Sequence, residues 1–222
     1  MMLKSIFLVL LALCLHYIPA AHAQIAEGEQ IRFANPGIQK WYAGWYISLQ
    51  GDTVPGFIYL SNQVDNQLQL KYATENPPVS PVKTIVPAAA KGFRVKDRVY
   101  QSLLTEATKN AEPMFFRRME SGRINLYAWY AIPINGMMQE GNKKRLVTAN
   151  DEKFHEQVFY LQTGDELPFR VPDSEHFAAD MSRLLADDEV LAGRIAQEMK
   201  SYRATDILNI VQQYNKWYSD HH

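Results

Sequence analysis

The run Trp41-Tyr42-Ala43-Gly44-Trp45-Tyr46-Ile47-Ser48-Leu49, the connector Gln50-Gly51-Asp52-Thr53 and the run Val54-Pro55-Gly56-Phe57-Ile58-Tyr59-Leu60 decide the fold. Aromatic and β-branched side chains suit a pleated, half-buried surface, and a Gly-Asp pair between two such runs supplies the tight turn of a β-hairpin. Pro55 suits an edge position because it has no N–H to give a ladder, and Gly44 inside the first strand suits a bulge.

The same pattern recurs downstream. Gln67-Leu68-Gln69-Leu70-Lys71-Tyr72 alternates and predicts a third, half-buried strand. Asn76-Pro77-Pro78-Val79-Ser80-Pro81 predicts a rigid loop, since each proline fixes its own φ and restricts the residue before it. Val82 to Val86 reads as a strand, and Gly92 to Leu104 as two short strands around Lys96-Asp97-Arg98. Met114 to Met119 and Ile124 to Tyr130 flank Glu120-Ser121-Gly122-Arg123, with Gly122 placed for a positive φ. The polar stretch Pro133 to Asp151, with Lys143-Lys144-Arg145 at its tip, predicts a mobile loop. Val158 to Leu161 and Leu167 to Val171 close a last hairpin over Thr163-Gly164-Asp165-Glu166, which echoes the first. Strands of this kind pair with their sequence neighbours, antiparallel.

After Asp173 the hydrophobic period lengthens. Phe177, Met181, Leu184 and Leu185 share a helical face behind an N-cap at Asp173 or Ser174. Asp187 is placed to cap a second helix with Leu191, Ile195 and Met199 in a stripe, and Thr205 a third with Ile207, Ile210, Val211, Tyr214, Trp217 and Tyr218. Helices this short are marginal alone and must dock. The expectation is α+β: an antiparallel barrel-like or sandwich domain over residues 24–172, and about three helices over 173–222 packed on it.

Residues 1–23 read as a cleavable secretory signal: Lys4, an apolar run from Ile6 to Leu15, and small residues ending Ala21-His22-Ala23. A lipoprotein signal at Cys14 is the rival, but Leu13 stands where a small residue is required, and the chain beyond Cys14 stays apolar to Ala20. Cys14 is the only cysteine, so the exported chain of about 200 residues has no disulfide, thiolate ligand or cysteine nucleophile, and its stability comes from its core. With 23 Lys and Arg against 24 Asp and Glu, the balance argues against nucleic acid or a strongly acidic partner. No later segment is apolar for long enough to span a membrane.

Chemistry-bearing motifs are sparse. Beyond the signal the histidines are His155, His176, His221 and His222, and no Gly-x-Ser-x-Gly elbow occurs. The Asp151 to Glu156 cluster lacks the spacing of a metalloprotease helix and reads as a charged rim. His176 with Asp180 offers two ligands where zinc wants three. Asp187-Asp188-Glu189 reads as helix capping. The eleven glycines are dispersed, without a phosphate loop. Neither a catalytic set, a metal site nor a cofactor is assigned. The sharpest functional idea is an aromatic platform for a sugar ring or a partner's apolar side chain, with Trp41, Trp45, Trp129 and Tyr127 as candidates, against the reading that strand aromatics fill the core.

The order of signal, Gln50-Gly51-Asp52-Thr53-Val54-Pro55-Gly56, Gly92-Phe93, Phe115-Phe116, Gly122 and the tail Tyr214-Asn215-Lys216-Trp217 resembles a group of uncharacterised exported proteins from Bacteroidota. The resemblance implies a periplasmic or cell-surface setting and brings no site residues. Three functions follow as expectations: a non-catalytic envelope module binding a protein or glycan, a hydrolase using carboxylates, or a structural accessory of an envelope assembly.

Overall fold

The computed structural model describes residues 40–75, 81–105, 112–140 and 143–222, so the signal, the lead-in before Lys40 and most of the proline loop lie outside the described residues. Among these residues twelve strands follow in chain order: β1 Trp41–Ser48, β2 Thr53–Tyr59, β3 Leu70–Ala73, β4 Lys83–Ile85, β5 Ala90–Val95, β6 Arg98–Leu103, β7 Met114–Glu120, β8 Ile124–Ala131, β9 Met137–Glu140, β10 Lys143–Leu146, β11 Glu156–Thr163 and β12 Phe169–Arg170. Ten of them form one antiparallel sheet in the order β12-β11-β8-β7-β6-β5-β1-β2-β3-β4. Its edges are β4 and β12, which do not pair with each other, so the architecture is sandwich-like rather than a closed barrel.

Residues opposite each other in an antiparallel register share a face. One such row runs Val54, Tyr46, Phe93, Tyr100, Arg117, Ala128 and Phe159 across seven strands. This inner face carries both cores. One holds Ile58, Leu70, Tyr72, Phe93, Val95, Tyr100 and Phe115. The other gathers Ile124, Leu126 and Leu161 under the C-terminal helices.

Among the described residues there are four helices: α1 Gln63–Leu68, α2 Phe177–Leu184, α3 Glu189–Ala196 and α4 Ile207–His221. Phe177 and Met181 of α2, Leu191 and Ile195 of α3, and Ile207, Ile210, Val211 and Tyr214 of α4 are buried in that second core, whereas Met199, expected in the stripe of the second helix, lies past its end at Ala196 and is 46% exposed. Each large apolar side chain so buried contributes about 1.5–3 kcal/mol, which is why these short helices hold only when docked.

Local expectations need correction where tertiary contacts override them. Gln67 and Leu68 end α1 rather than begin a strand; of the apolar residues in the alternating run Leu70 and Tyr72 are buried, whereas Leu68 is 54% exposed. The stretch after Pro133 is a β9–β10 hairpin, not an unstructured loop, with Arg145 held by both Asp151 carboxylate oxygens at 2.7 Å. β2 is an interior strand, and Pro55 sits beyond the Phe57–Tyr59 segment that pairs with β3. Gly44 stays in register on both sides; a Cβ there would lie 2.4 Å from the Arg94 carbonyl oxygen, so close backbone approach requires the glycine. Gly122 is not among the positive-φ glycines, and a Cβ on it would meet Asn215 Cγ at 2.5 Å.

The helix starts also shift. Asp188, not Asp187, caps α3 by accepting the Leu191 N–H at 3.0 Å, while Asp187 accepts the Tyr214 hydroxyl at 2.8 Å. A 3-10 turn, Ala204–Asp206, leads into α4, and Asp206 in place of Thr205 stands at its N-cap. Asp173 accepts the His176 N–H at 3.1 Å one turn before α2 begins.

Candidate functional site

On the outer face of the sheet, the registers align Pro55, Trp45, Arg94, Val99, Arg118, Tyr127, Tyr160 and Arg170 into one row across β2, β1, β5, β6, β7, β8, β11 and β12. Rings and guanidinium groups recur along it, and amides flank it: Gln101 lies opposite Gly92 and Phe116, and Gln162 opposite Asn125. Such a lateral row runs across the strands, with neighbours about 4.8 Å apart.

The four candidate aromatics divide between surface and interior. Trp45 and Tyr127 stand in this row, and Trp129 is two residues along β8 from Tyr127 on the same face. Trp41 lies at the other end of β1, 7% exposed, edge-on to Tyr59 at 5.5 Å. Tyr127 is 1% exposed, so it supports the surface rather than offering its own ring. Its hydroxyl sits 3.0 Å from Gln101 Oε1 and 2.9 Å from Gln162 Oε1. Burial pushes its pKa up to about 12, against the pull of the Arg118 charge, so it stays a neutral phenol at neutral pH. Trp45 and Trp129 are half-buried, and the Trp129 indole Nε1 has no hydrogen-bond partner among the described residues. Those four do not converge on one platform, because β7, β6 and β5 separate Trp129 from Trp45.

Sequence reasoning missed Arg94, Arg118, Tyr160 and Arg170. Tyr160 is half-buried and meets Phe116 edge-on at 5.2 Å, which fixes its ring, and Arg170 is exposed on the edge strand. Their sequence signal is weak, since nothing in the chain order announces that β11 pairs with β8 or β1 with β5.

A second feature lies at the end of this row. An open groove of about 660 Å³ between β12 and α2 is lined by Phe169, Arg170, Asp173, His176, Asp180 and Met181, among others. His176 Nδ1 is 2.9 Å from Asp173 Oδ1, and that carboxylate raises the imidazole pKa above its ordinary value. Both side chains are well exposed, and no serine, threonine or cysteine lines the groove. His155 is elsewhere, its Nε2 3.1 Å from the Thr148 carbonyl oxygen. Among the described residues no three His, Cys, Asp or Glu side chains are grouped to hold a metal ion. Nor is any helix among them long and apolar enough to cross a membrane. No family model, curated protein or solved structure matches the chain.

Proposed function

We propose that the chain is a non-catalytic exported module of a bacterial envelope, periplasmic or at the cell surface, that binds a glycan along the outer face of its sheet. Export is read from the signal at residues 1–23. The glycan reading is carried by the lateral row, in which Trp45 and Tyr160 stand in line with Arg94, Arg118 and Arg170 and are flanked by Gln101 and Gln162. Rings give a sugar an apolar face to stack on, and forks and amides answer its oxygens.

The test is retention of the purified protein on immobilised envelope polysaccharide. Trp45→Ala and Tyr160→Ala should each reduce retention at least tenfold with little change in unfolding midpoint. Retention unchanged in the double variant would sink this reading.

One observation favours a second reading, hydrolysis: the His176–Asp173 pair in the groove beside Arg170 has the base-and-orienter geometry that acid–base chemistry uses. Turnover of a bound polysaccharide that disappears in His176→Ala would establish it; binding without turnover returns the first reading.

A further inference from the structure

We infer that the glycan bound on the outer face is acidic, its carboxylates taken by Arg118 and Arg170. This inference rests on the reading that the outer face is a glycan surface. None of the eight positions from Pro55 to Arg170 in the row is a carboxylate. Among the described residues neither Arg118 nor Arg170 has an ion-pair partner. Several acidic groups that border these strands are engaged elsewhere. Asp97 lies 3.8 Å from Arg117, which points to the inner face. Glu166 accepts the Thr163 hydroxyl at 2.8 Å, and Asp173 is held by His176. Glu156, at the far end of β11, is on the same face as Tyr160 but four residues from the row, so within the row itself the charges are arginines although the chain as a whole is near neutral.

The shape of the row selects the class of polyanion. The backbone groups of the strands between the edges are committed to their neighbours, so this surface offers side chains only. An acidic polypeptide would look for free strand edges, and the row runs across the strands instead. A guanidinium is a planar fork that matches a carboxylate with two parallel hydrogen bonds. Three strand steps separate Arg118 from Arg170, about 14 Å, with Tyr160 between them to carry a sugar ring. The ligand that meets this arrangement is an extended chain of sugar rings bearing carboxylates, a uronate polymer.

Calorimetric titration of the purified protein with polygalacturonate, dextran, dextran sulfate and polyglutamate tests the inference. Polygalacturonate should bind at least tenfold tighter than the other three and lose at least tenfold in Arg118→Gln/Arg170→Gln. Arg118→Lys/Arg170→Lys, which keeps the charge and loses the fork, should fall between. Arg170→Gln alone, at an exposed edge position, provides a variant whose folding is not in question and should weaken binding severalfold. Dextran bound as tightly as polygalacturonate, with the arginine variants unchanged, would overturn the acidic assignment and leave the glycan reading standing. Preference for dextran sulfate or polyglutamate would overturn the carboxylate sugar. Binding of no polysaccharide would overturn both.

Discussion

The side-chain amide of Asn215 brackets the backbone of Ile124: its Oδ1 accepts the Ile124 N–H at 2.9 Å and its Nδ2 donates to the Ile124 carbonyl at 2.8 Å. Gln67 does the same at Tyr130, accepting its N–H and donating to its carbonyl. β7 and β8 stay in register only from Leu126 to Ala128, with a break between Arg118 and Glu120, whereas β11 follows β8 along its whole length. Alternate residues of a strand present their backbone groups to the same edge, so Ile124 and Tyr130 face the side that β7 has left. Two amides, one from α4 and one from α1, complete the ladder at its two ends.

Asn215→Ala should therefore destabilise the protein by about 1–3 kcal/mol, the cost of leaving partly buried backbone groups without partners. Gly122→Ala should also destabilise it, because its new Cβ would fall 2.5 Å from Asn215 Cγ. In the Asn215→Ala background the second cost should shrink. Urea unfolding of the four proteins in the double-mutant cycle measures this coupling, and strict additivity would show that the contact is not what forbids a side chain at position 122.

Gln67 is 1% exposed, and its loss leaves a buried N–H and C=O at Tyr130. Gln67→Ala should cost about 1–3 kcal/mol for each group stranded. Gln67→Glu keeps an acceptor but sets a charge against the Tyr130 carbonyl, so its stability should recover as pH falls and the carboxyl takes a proton. A pH series of unfolding curves reads this directly; a pH-independent Gln67→Glu would contradict it.

Alkaline behaviour follows from the buried tyrosines, Tyr127 and Tyr214 among them. Burial raises Tyr127 and Tyr214 from 10.0 to about 12, with the Asp187 hydrogen bond and charge adding to the effect at Tyr214. Each folded-state pKa lies above the unfolded one, so this contribution is complete below pH 10 and is lost as pH rises from 10 through 12. Burial raises Tyr72 and Tyr100 as well, so ultraviolet titration should show a late-ionising group of phenols that loses one member in Tyr127→Phe and another in Tyr214→Phe.

His176 should titrate above 6.5, chiefly through its hydrogen bond to Asp173, and Asp173→Asn should bring it back down. The sign places the small associated stabilisation below pH 6.5, fading as pH rises through the folded-state value. Proton NMR of the imidazole ring follows the titration; an unchanged midpoint in Asp173→Asn would refute the pairing.

How much of this was legible in the sequence depended on the distance over which each feature is decided. Strands and helices were readable because Gly51-Asp52 and Gly164-Asp165 mark turns and because Phe177, Met181 and Ile207 to Tyr214 keep a helical period. α1 was not, since the alternation of Gln67 to Tyr72 matches a strand until Gln67 is drawn to Tyr130, sixty-three residues away. Gly44 and Gly122 were legible as special positions but not for the right reason, which is a neighbour close in space and distant in sequence. Of the candidate site, Trp45 and Trp129 were named, while the arginines between and beyond them came into line only through cross-strand register.

The outer-face row is the centre of the functional account, and NMR of the arginine Nε–H signals during titration with polygalacturonate tests it most directly. Shifts should be confined to Arg118 and Arg170, with Arg194 on α3 unmoved. Shifts at Arg194, with Arg118 and Arg170 unchanged, would contradict it.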